Sequence, residues 1–251
     1  MSGHSKWSTI KRKKAAEDAK RGQVFTKFGR ELMIAAREGG ADPDTNFKLR
    51  LVIDKARAAN MPKDNIERAI RRGAGQEKGE ALEEITYEGY GPNGVALLVQ
   101  VVTDNRNRAV ADVRRQFNRH GGSLGESGCV AWLFEPKGYI AVAVDDKDPE
   151  KLFEMAVEAG AEDVEISDDL VEIYTAPGDF QWVQEFLQRR GVALDTAEIS
   201  MIPKSLTQLD EQDTMKAMRL IEALEELDDV QQVYSTLAIS DEVMASYEAG
   251  R

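Results

Sequence analysis

The chain has 251 residues, a length that predicts about two domains. Hydrophobic residues make up 42% and charged residues 31%, which is enough apolar material for packed cores and too much for a disordered chain. No run approaches the roughly 18 apolar residues of a membrane span, and the start lacks the apolar block of a secretory signal. A single cysteine, Cys129, excludes intramolecular disulfides and thiolate metal clusters. We therefore expect a soluble, cytoplasmic protein without a membrane partner.

The charge is distributed unevenly along the chain. The net charge of −12 argues against a nucleic-acid partner, but residues 1–80 hold 19 Lys and Arg against 11 Asp and Glu. The other 171 residues hold 14 against 34. This asymmetry predicts a basic segment that meets a polyanion and an acidic body that keeps the protein in solution.

The basic segment has the periodicity of three amphipathic helices. The first covers Gln23 to Glu38 and ends at two glycines. The second presents an inward face of Leu49, Val52, Ile53 and Ala56. In the third, Asp64 and Glu67 have the spacing of a capping box, and Gly73 ends the helix. We predict a helical domain over residues 1–80, with a glycine-containing linker at residues 73–83.

Strand patterns begin after Glu84. Ile85–Tyr90 and Val95–Thr103 read as a hairpin around an Asn-Gly turn. A helix capped by Thr103 or Asp104 then runs to about Arg119, and Val130–Phe134 reads as another strand. After Pro203 come one more helix and a strand over Val230–Ile239. Together these elements make one α/β unit.

Between the two parts of that unit, residues 138–202 show the order strand, helix, strand, strand, helix, strand. This βαββαβ order is typical of ferredoxin-like domains. The predicted fold class is α+β, with an N-terminal three-helix domain followed by two ferredoxin-like α/β domains, the last inserted into the middle one. The predicted domains are residues 1–80, residues 81–134 plus 205–251, and the insert at residues 135–204.

The sequence offers little for catalysis. Its two histidines, His4 and His120, fall in different predicted domains, and no phosphate-loop, dinucleotide or zinc-protease motif is present. The glycine-rich loop at residues 121–128 could cradle a phosphate, but a flexible turn is the favoured interpretation. The acidic clusters lack calcium-loop spacing and are read as solvated faces. We predict a non-enzymatic protein with no catalytic residues, no metal site, no cofactor and no small-molecule substrate.

Basic side chains supply the candidate nucleic-acid-binding residues. Cations crowd the first 37 residues, and Trp7 either stacks on a base or packs on the bundle. On the helix at residues 103–119, Arg108, Arg115 and Arg119 fall within about 40° of one another around the helix axis. They lie opposite an apolar face of Val110, Val113 and Phe117. This arginine stripe either contacts a polyanion or faces water. The predicted nucleic-acid-binding residues are Lys6, Trp7, Lys11, Arg12, Lys13, Lys14, Lys20, Arg21, Lys27, Arg30, Arg37, Arg108, Arg115 and Arg119.

Five motifs stand out along the chain: Gly3–Ser8, Phe25–Lys27, Asn60–Ala69, Tyr87–Pro92 and Thr103–Arg108. They resemble the signatures of the YebC/PmpR family, and the resemblance runs along nearly the whole chain. The resemblance implies an N-terminal helical domain plus two α/β domains, the last inserted into the middle one. It also implies a cytoplasmic protein of a family described as probable DNA-binding transcriptional regulators.

Mitochondrial relatives of that family are translational activators, and bacterial members have been linked to relief of ribosome stalling at proline-rich stretches. DNA and ribosomal RNA therefore both remain open as partners at this point. DNA-bound transcriptional regulation is the first hypothesis, and ribosome-associated translation control is the alternative. A monomer is the favoured oligomeric state.

Overall fold

A computed structural model of the chain describes residues 21–78, 81–144, 147–240, 242–244 and 246. Its N-terminal part contains helices α1 (Arg21–Gly39), α2 (Phe47–Ala58) and α3 (Lys63–Gly73). Their apolar faces meet in one core that includes Leu32 and Ile66. The predicted inward face of α2 is confirmed, since all four of its residues are buried.

The predicted capping box of α3 is wrong. Pro62 occupies the cap position, and no side chain caps the helix there. Because the helix begins at Lys63, Asp64 lies inside its first turn, where its negative charge favours the helix dipole. Glu67 pairs with Lys63 and Arg71 on neighbouring turns instead of reaching back to the cap.

The first sheet contains β1 (Glu83–Tyr90), β2 (Ala96–Thr103), the two-residue β3 (Ser123–Leu124) and β8 (Val230–Ser235). Its strand order is β3-β1-β2-β8, and every neighbouring pair is antiparallel. The predicted hairpin of β1 and β2 is confirmed, with Asn93 and Gly94 at positive φ in its turn.

Helices α4 (Arg106–Arg119) and α7 (Glu211–Glu225) cover one face of the first sheet. Side chains alternate along β2, so Leu97 and Val99 meet these helices whereas Ala96 and Leu98 face the other way. The predicted inward position of Phe117 on α4 is confirmed. Val110 is only partly buried, and Ala109 takes its place in the core.

Two sequence-based predictions about this unit are wrong. The cap of α4 is Asn105, whose side chain accepts a hydrogen bond from the backbone N–H of Arg108, rather than Thr103 or Asp104. Val130–Phe134 is not one strand either. A 3₁₀ turn occupies Ala131–Leu133, because the carboxylate of Glu88 takes the backbone N–H groups of Val130 and Ala131 that a strand would use.

The second sheet contains β4 (Phe134–Ala143), β5 (Asp163–Ile166), β6 (Leu170–Thr175) and β7 (Thr196–Pro203). Its order is β5-β6-β4-β7, again antiparallel, with α5 (Pro149–Ala159) and α6 (Phe180–Arg189) packed against it. This is the ferredoxin-like arrangement. The α+β fold class is therefore confirmed, with an N-terminal helical region and two antiparallel sheets. The exact domain boundaries stay a prediction.

The helical bundle contacts both sheets. The α2 residue Phe47 packs its ring edge-on against Phe180 of the second unit, with ring centroids 6.0 Å apart. Lys55 of α2 pairs with Glu198 of β7 at 2.6 Å. A cavity of about 390 Å³ lies at this junction, between the bundle, the first sheet and β7. None of the helices within the described ranges is long and apolar enough to cross a membrane.

Candidate nucleic-acid interface

The predicted contacts of the N-terminal arm fall outside the described residues. They are Lys6, Trp7, Lys11, Arg12, Lys13, Lys14 and Lys20. Arg21 begins α1, and only its backbone is described. A nucleic-acid-binding role for these residues stays a prediction.

The cations of α1 contact the last residue of α7 and the loop that leads from it to β8. Lys27 donates to the carbonyl oxygen of Glu225, and Arg30 donates to that of Asp228 at 2.6 Å. Gln23 adds hydrogen bonds to the carbonyl oxygen of Glu226 and to Oδ1 of Asp228. Free carbonyls at a helix C-terminus carry partial negative charge, so cations are favourable partners there. These α1 side chains therefore attach the bundle to the end of α7.

Asp229 is the centre of this attachment. Its Oδ1 lies 2.8 Å from Nη1 of Arg30, and its two carboxylate oxygens accept from Nη2 of Arg108 at 2.9 and 3.1 Å. The hydroxyl of Thr103 donates a further bond of 3.0 Å. Asp229 is only 7% exposed, so a carboxylate there needs such partners to stay charged. Two arginines from different parts of the chain share one buried carboxylate.

Arg108 has a second acidic partner. Its Nη2 donates to Oδ1 of Asp104 at 2.6 Å. The hydrogen bonds from Asp104 and Asp229 raise the pKa of Arg108 above its ordinary value, so its charge is firmly held. Thr103 and Arg108 thus bind the carboxylate that contacts the bundle, Asp104 binds Arg108, and the positive charge of Arg108 is compensated within the protein.

Arg37 of the bundle contacts the segment that joins α3 to β1. Its Nη1 donates to the carbonyl oxygen of Leu82 at 2.6 Å, and the Leu82 side chain packs with Ile34 and Val102. Lys27, Arg30 and Arg37 therefore all make contacts between the bundle and the first α/β unit, and Arg108 binds the carboxylate of Asp229 that Arg30 contacts. Charge counting along the sequence could not reveal these contacts, because the backbone carbonyls that Lys27, Arg30 and Arg37 bind lie 45 to 198 residues away.

The remaining predicted residues form an exposed surface on α4. Arg115 is 65% exposed and, among the residues described, pairs with Asp112 one turn earlier on the same helix. Arg119 is exposed and has no ion-pair partner among the residues described. Arg114, which the arginine stripe did not include, is also exposed and has no ion-pair partner within the described ranges. We name Arg114, Arg115 and Arg119 the α4 cationic surface.

The bundle carries a second group of exposed cations that the sequence prediction omitted. Lys63, Arg68, Arg71 and Arg72 lie on α3, and Arg71 pairs with Glu77 at 2.7 Å. The i, i+4 spacing of Arg68 and Arg72 was the available signal, since it places both on one helix face. Acids within and just after the helix offset part of this charge.

The glycine-rich loop is held by a carboxylate. Glu88 accepts hydrogen bonds from the backbone N–H groups of Gly128, Val130 and Ala131 at 2.6, 2.8 and 2.8 Å. Burial raises the pKa of Glu88, but the three hydrogen bonds outweigh it and leave the pKa below its ordinary value. The N–H groups of Gly128, at the end of the glycine-rich loop, and of Val130 and Ala131 just after it are therefore occupied by an internal anion.

The histidine within the described ranges, His120, lies at the C-terminal end of α4. His120 follows the last residue of α4, and its Nδ1 lies 3.0 Å from the carbonyl oxygen of Gln116. The described residues contain no group of three or more His, Cys, Asp or Glu side chains that could hold a metal ion.

Two family models match this chain. One, described as the TACO1/YebC protein N-terminal domain, matches residues 5–76, and the other, described as the TACO1/YebC second and third domain, matches residues 82–237. The chain belongs to the TACO1/YebC family. The resemblance inferred from the sequence motifs is thus confirmed.

Curated members of the TACO1/YebC family match the chain over nearly its full length. A protein of Dictyoglomus turgidum is 53% identical over 98% of this chain and 99% of its own. One of Moorella thermoacetica is 55% identical over 97% and 98%. Both are named probable transcriptional regulatory protein. These relatives support a regulatory role for this TACO1/YebC chain.

A solved structure has the same fold. It is the crystal structure of a conserved hypothetical protein from Aquifex aeolicus, with 49% sequence identity and a TM-score of 0.84. The match covers 90% of this chain and 94% of that one. The TACO1/YebC arrangement of a helical region and two sheets is therefore shared by an experimentally determined relative.

Proposed function

We propose that this protein is a non-enzymatic, nucleic-acid-binding regulator of gene expression that acts on DNA in the cytoplasm. The names of its relatives support a regulatory role, and regulation of transcription requires contact with nucleic acid or with proteins bound to it. Most affinity for DNA comes from cations that neutralise phosphates. The question is which cations of this chain are available.

The α4 cationic surface carries the proposal. Helix α4 holds five arginines and one acid, Asp112. Arg108 is neutralised by Asp104 and Asp229, whereas Arg114, Arg115 and Arg119 remain exposed. A helix that presents exposed guanidinium groups such as these provides phosphate contacts without reading sequence. The basic arm would add further contacts of the same kind.

Ribosomal RNA is the second candidate partner. One observation favours it: Tyr90 and Trp132 expose large aromatic rings to solvent. Unstacked bases that lie on aromatic side chains are characteristic of RNA recognition. A translation factor bound to ribosomal RNA would use both the cations and the rings.

A charge-reversal variant tests the proposal. Replacing Arg114, Arg115 and Arg119 by Glu should weaken binding to a labelled DNA duplex and make binding less dependent on salt. Each lost phosphate contact removes about 0.9 from the slope of log K against log salt. The matched control replaces Lys151 and Arg189, exposed cations of the second α/β unit, by Glu. Equal affinity of the α4 variant, the control variant and the unmodified protein would refute the proposal.

The non-enzymatic assignment has its own test. The purified protein is incubated with labelled DNA and RNA in the presence of magnesium. We expect intact nucleic acid after prolonged incubation, because the described residues offer no cluster of side chains that could hold a catalytic metal ion. Cleavage that copurifies with the protein and is lost with a single substitution would contradict it.

A further inference from the structure

Two large aromatic side chains are exposed where β1 ends. Trp132, in the turn before β4, is 64% exposed, and Tyr90, the last residue of β1, is 37% exposed. Exposure of a single apolar residue is common and needs no explanation. These two rings, however, are fixed to one and the same backbone atom.

That atom is the carbonyl oxygen of Cys129. It accepts a hydrogen bond of 3.1 Å from the hydroxyl of Tyr90 and another of 3.1 Å from Nε1 of Trp132. The indole N–H is the only polar group of a tryptophan side chain, and the hydroxyl proton is the only hydrogen that a tyrosine side chain can donate. The polar hydrogen of each side chain is therefore bound to the backbone, and the rings are the part left to contact a flat partner.

The carbonyl that holds the rings belongs to a well-anchored segment. Glu88 takes the backbone N–H groups of Gly128, Val130 and Ala131 on both sides of Cys129. Lys204 adds a hydrogen bond of 3.0 Å from its Nζ to the carbonyl oxygen of Trp132. The rings are thus positioned in advance, so little conformational entropy is lost when a flat partner binds.

We propose that Tyr90 and Trp132 form a stacking platform for unpaired nucleobases, with Lys204 as the adjacent contact for a phosphate. This inference rests on the proposed nucleic-acid-binding function and extends it to single strands. Every base has a π-face, so stacking tolerates any sequence, and a cation beside the aromatic rings follows the backbone. Lys204 is exposed and uses one of its three ammonium protons on Trp132, which leaves two for a phosphate.

The platform is spatially separate from the α4 cationic surface. Tyr90 pairs in register with Ala96, whose side chain belongs to the face of the first sheet opposite the helices. Helix α4 packs on the helical face, where Phe117 lies close to Gly89. The two surfaces can therefore be altered independently, and paired bases in a duplex would use only the cationic one.

The decisive experiment measures the affinity of the full chain for three labelled probes. They are a 12-nucleotide single-stranded RNA, the same sequence as single-stranded DNA, and the corresponding DNA duplex. Trp132→Ala should weaken binding of both single strands about 10-fold, because stacking contributes about 1–3 kcal/mol per base. Its affinity for the duplex should stay unchanged. Trp132→Phe should keep most of the single-strand affinity, since it retains an aromatic face.

Trp182→Ala is the matched control. Trp182 is a second exposed tryptophan, 55% exposed on α6, and its loss should leave all three affinities unchanged. A Lys204→Ala variant should reduce the salt slope for single strands by about 0.7. Thermal unfolding of each variant checks that the fold is retained, and Trp132→Phe covers the case in which Trp132→Ala unfolds.

The outcomes separate this inference from the proposed function. Unchanged single-strand affinity in Trp132→Ala, or an equal loss in Trp182→Ala, would overturn the platform while leaving the α4 proposal intact. An equal loss for the duplex would also overturn it, because paired bases offer no free faces. Absence of binding to every probe by the unmodified protein would overturn both. A larger effect on RNA than on DNA would identify RNA as the source of the unpaired bases.

Discussion

Arg30 and Asp229 form an ion pair of 2.8 Å between the first described helix and the loop before the last strand. Both side chains are largely buried, at 13% and 9% exposure. The same carboxylate also binds Arg108, so three charged groups from distant parts of the sequence depend on one another. Loss of this acid would remove the carboxylate that the largely buried Arg30 pairs with and would leave Arg108 with Asp104 as its remaining acidic partner.

Replacing Asp229 by Ala should lower the free energy of unfolding by about 3 kcal/mol, because breaking a buried ion pair leaves an uncompensated charge. Urea unfolding followed by circular dichroism measures the loss. Asp228→Ala is the control, since that side chain is exposed and, within the described ranges, accepts a hydrogen bond from Gln23. A cost below about 1 kcal/mol for Asp229→Ala would mean that the two arginines find other partners.

Acid should destabilise the protein in part through Glu88. Its pKa is lowered in the folded state from an ordinary value of 4.5, so its charged form stabilises the fold at higher pH. That contribution is complete above about pH 4.5 and is lost as the pH falls through the lower, folded-state value.

Glu88→Gln should therefore be less stable than the unmodified protein by about 2 kcal/mol at pH 7, the contribution of hydrogen bonds to a charged group. The difference should shrink as the pH falls below about 4.5. Chemical unfolding at a series of pH values checks this. The control is Glu126→Gln, which replaces an exposed acid on the same loop and should show no such trend. A stability difference for Glu88→Gln that stays constant with pH would contradict the prediction that the charged Glu88 carboxylate stabilises the fold.

The cap of α4 can be tested by a single truncation. Asn105→Ala removes the side chain that accepts from the backbone N–H of Arg108 at 3.0 Å, and should cost about 1 kcal/mol. Asn107→Ala, in the exposed first turn, should cost less than about 0.5 kcal/mol. Thermal unfolding compares them, and equal costs would show that the cap is unimportant.

Gly89 should not tolerate a side chain. A Cβ there would lie 2.6 Å from the carbonyl oxygen of Ser123 and 2.8 Å from the ring of Phe117. Gly89→Ala should destabilise the protein by about 1–3 kcal/mol, the usual cost of overpacking. At Gly178 a Cβ meets nothing within 4 Å, so Gly178→Ala should be neutral or slightly stabilising. Thermal unfolding should therefore give Gly89→Ala the lower melting temperature, and the reverse order would contradict the prediction.

The hydrophobic periodicity predicted the helices and strands well, but the sequence did not predict the partners of the charged side chains. It predicted the buried face of α2 in full, because burial on one side of a helix leaves a repeat of three to four residues. It could not predict that Lys27, Arg30 and Arg108 meet the loop before β8, because that contact is a property of the folded chain. An arginine that binds phosphate and one that binds Asp229 are alike in sequence.

Local ambiguity explains the remaining errors. Val130–Phe134 is an apolar run, and such a run suits a strand as well as a turn that buries its side chains. The deciding partner, Glu88, lies 42 residues earlier than Val130. The aromatic platform was missed for the same reason, since the exposure of Trp132 depends on a turn that Glu88 helps to form.

The pairing of β2 with both β1 and β8 constrains how the protein is made. Leu97 pairs with Gly89 close by, but its partner on the other side is Ser235. At about 5–20 residues per second, a ribosome needs on the order of ten seconds to synthesise the intervening chain. During that interval the second sheet can fold, because its strands are all complete by Pro203. Strand β2 meanwhile has unpaired backbone groups on the side that later pairs with β8. An unpaired strand invites neighbouring chains, so nascent molecules that stop short of β8 should be the ones that aggregate.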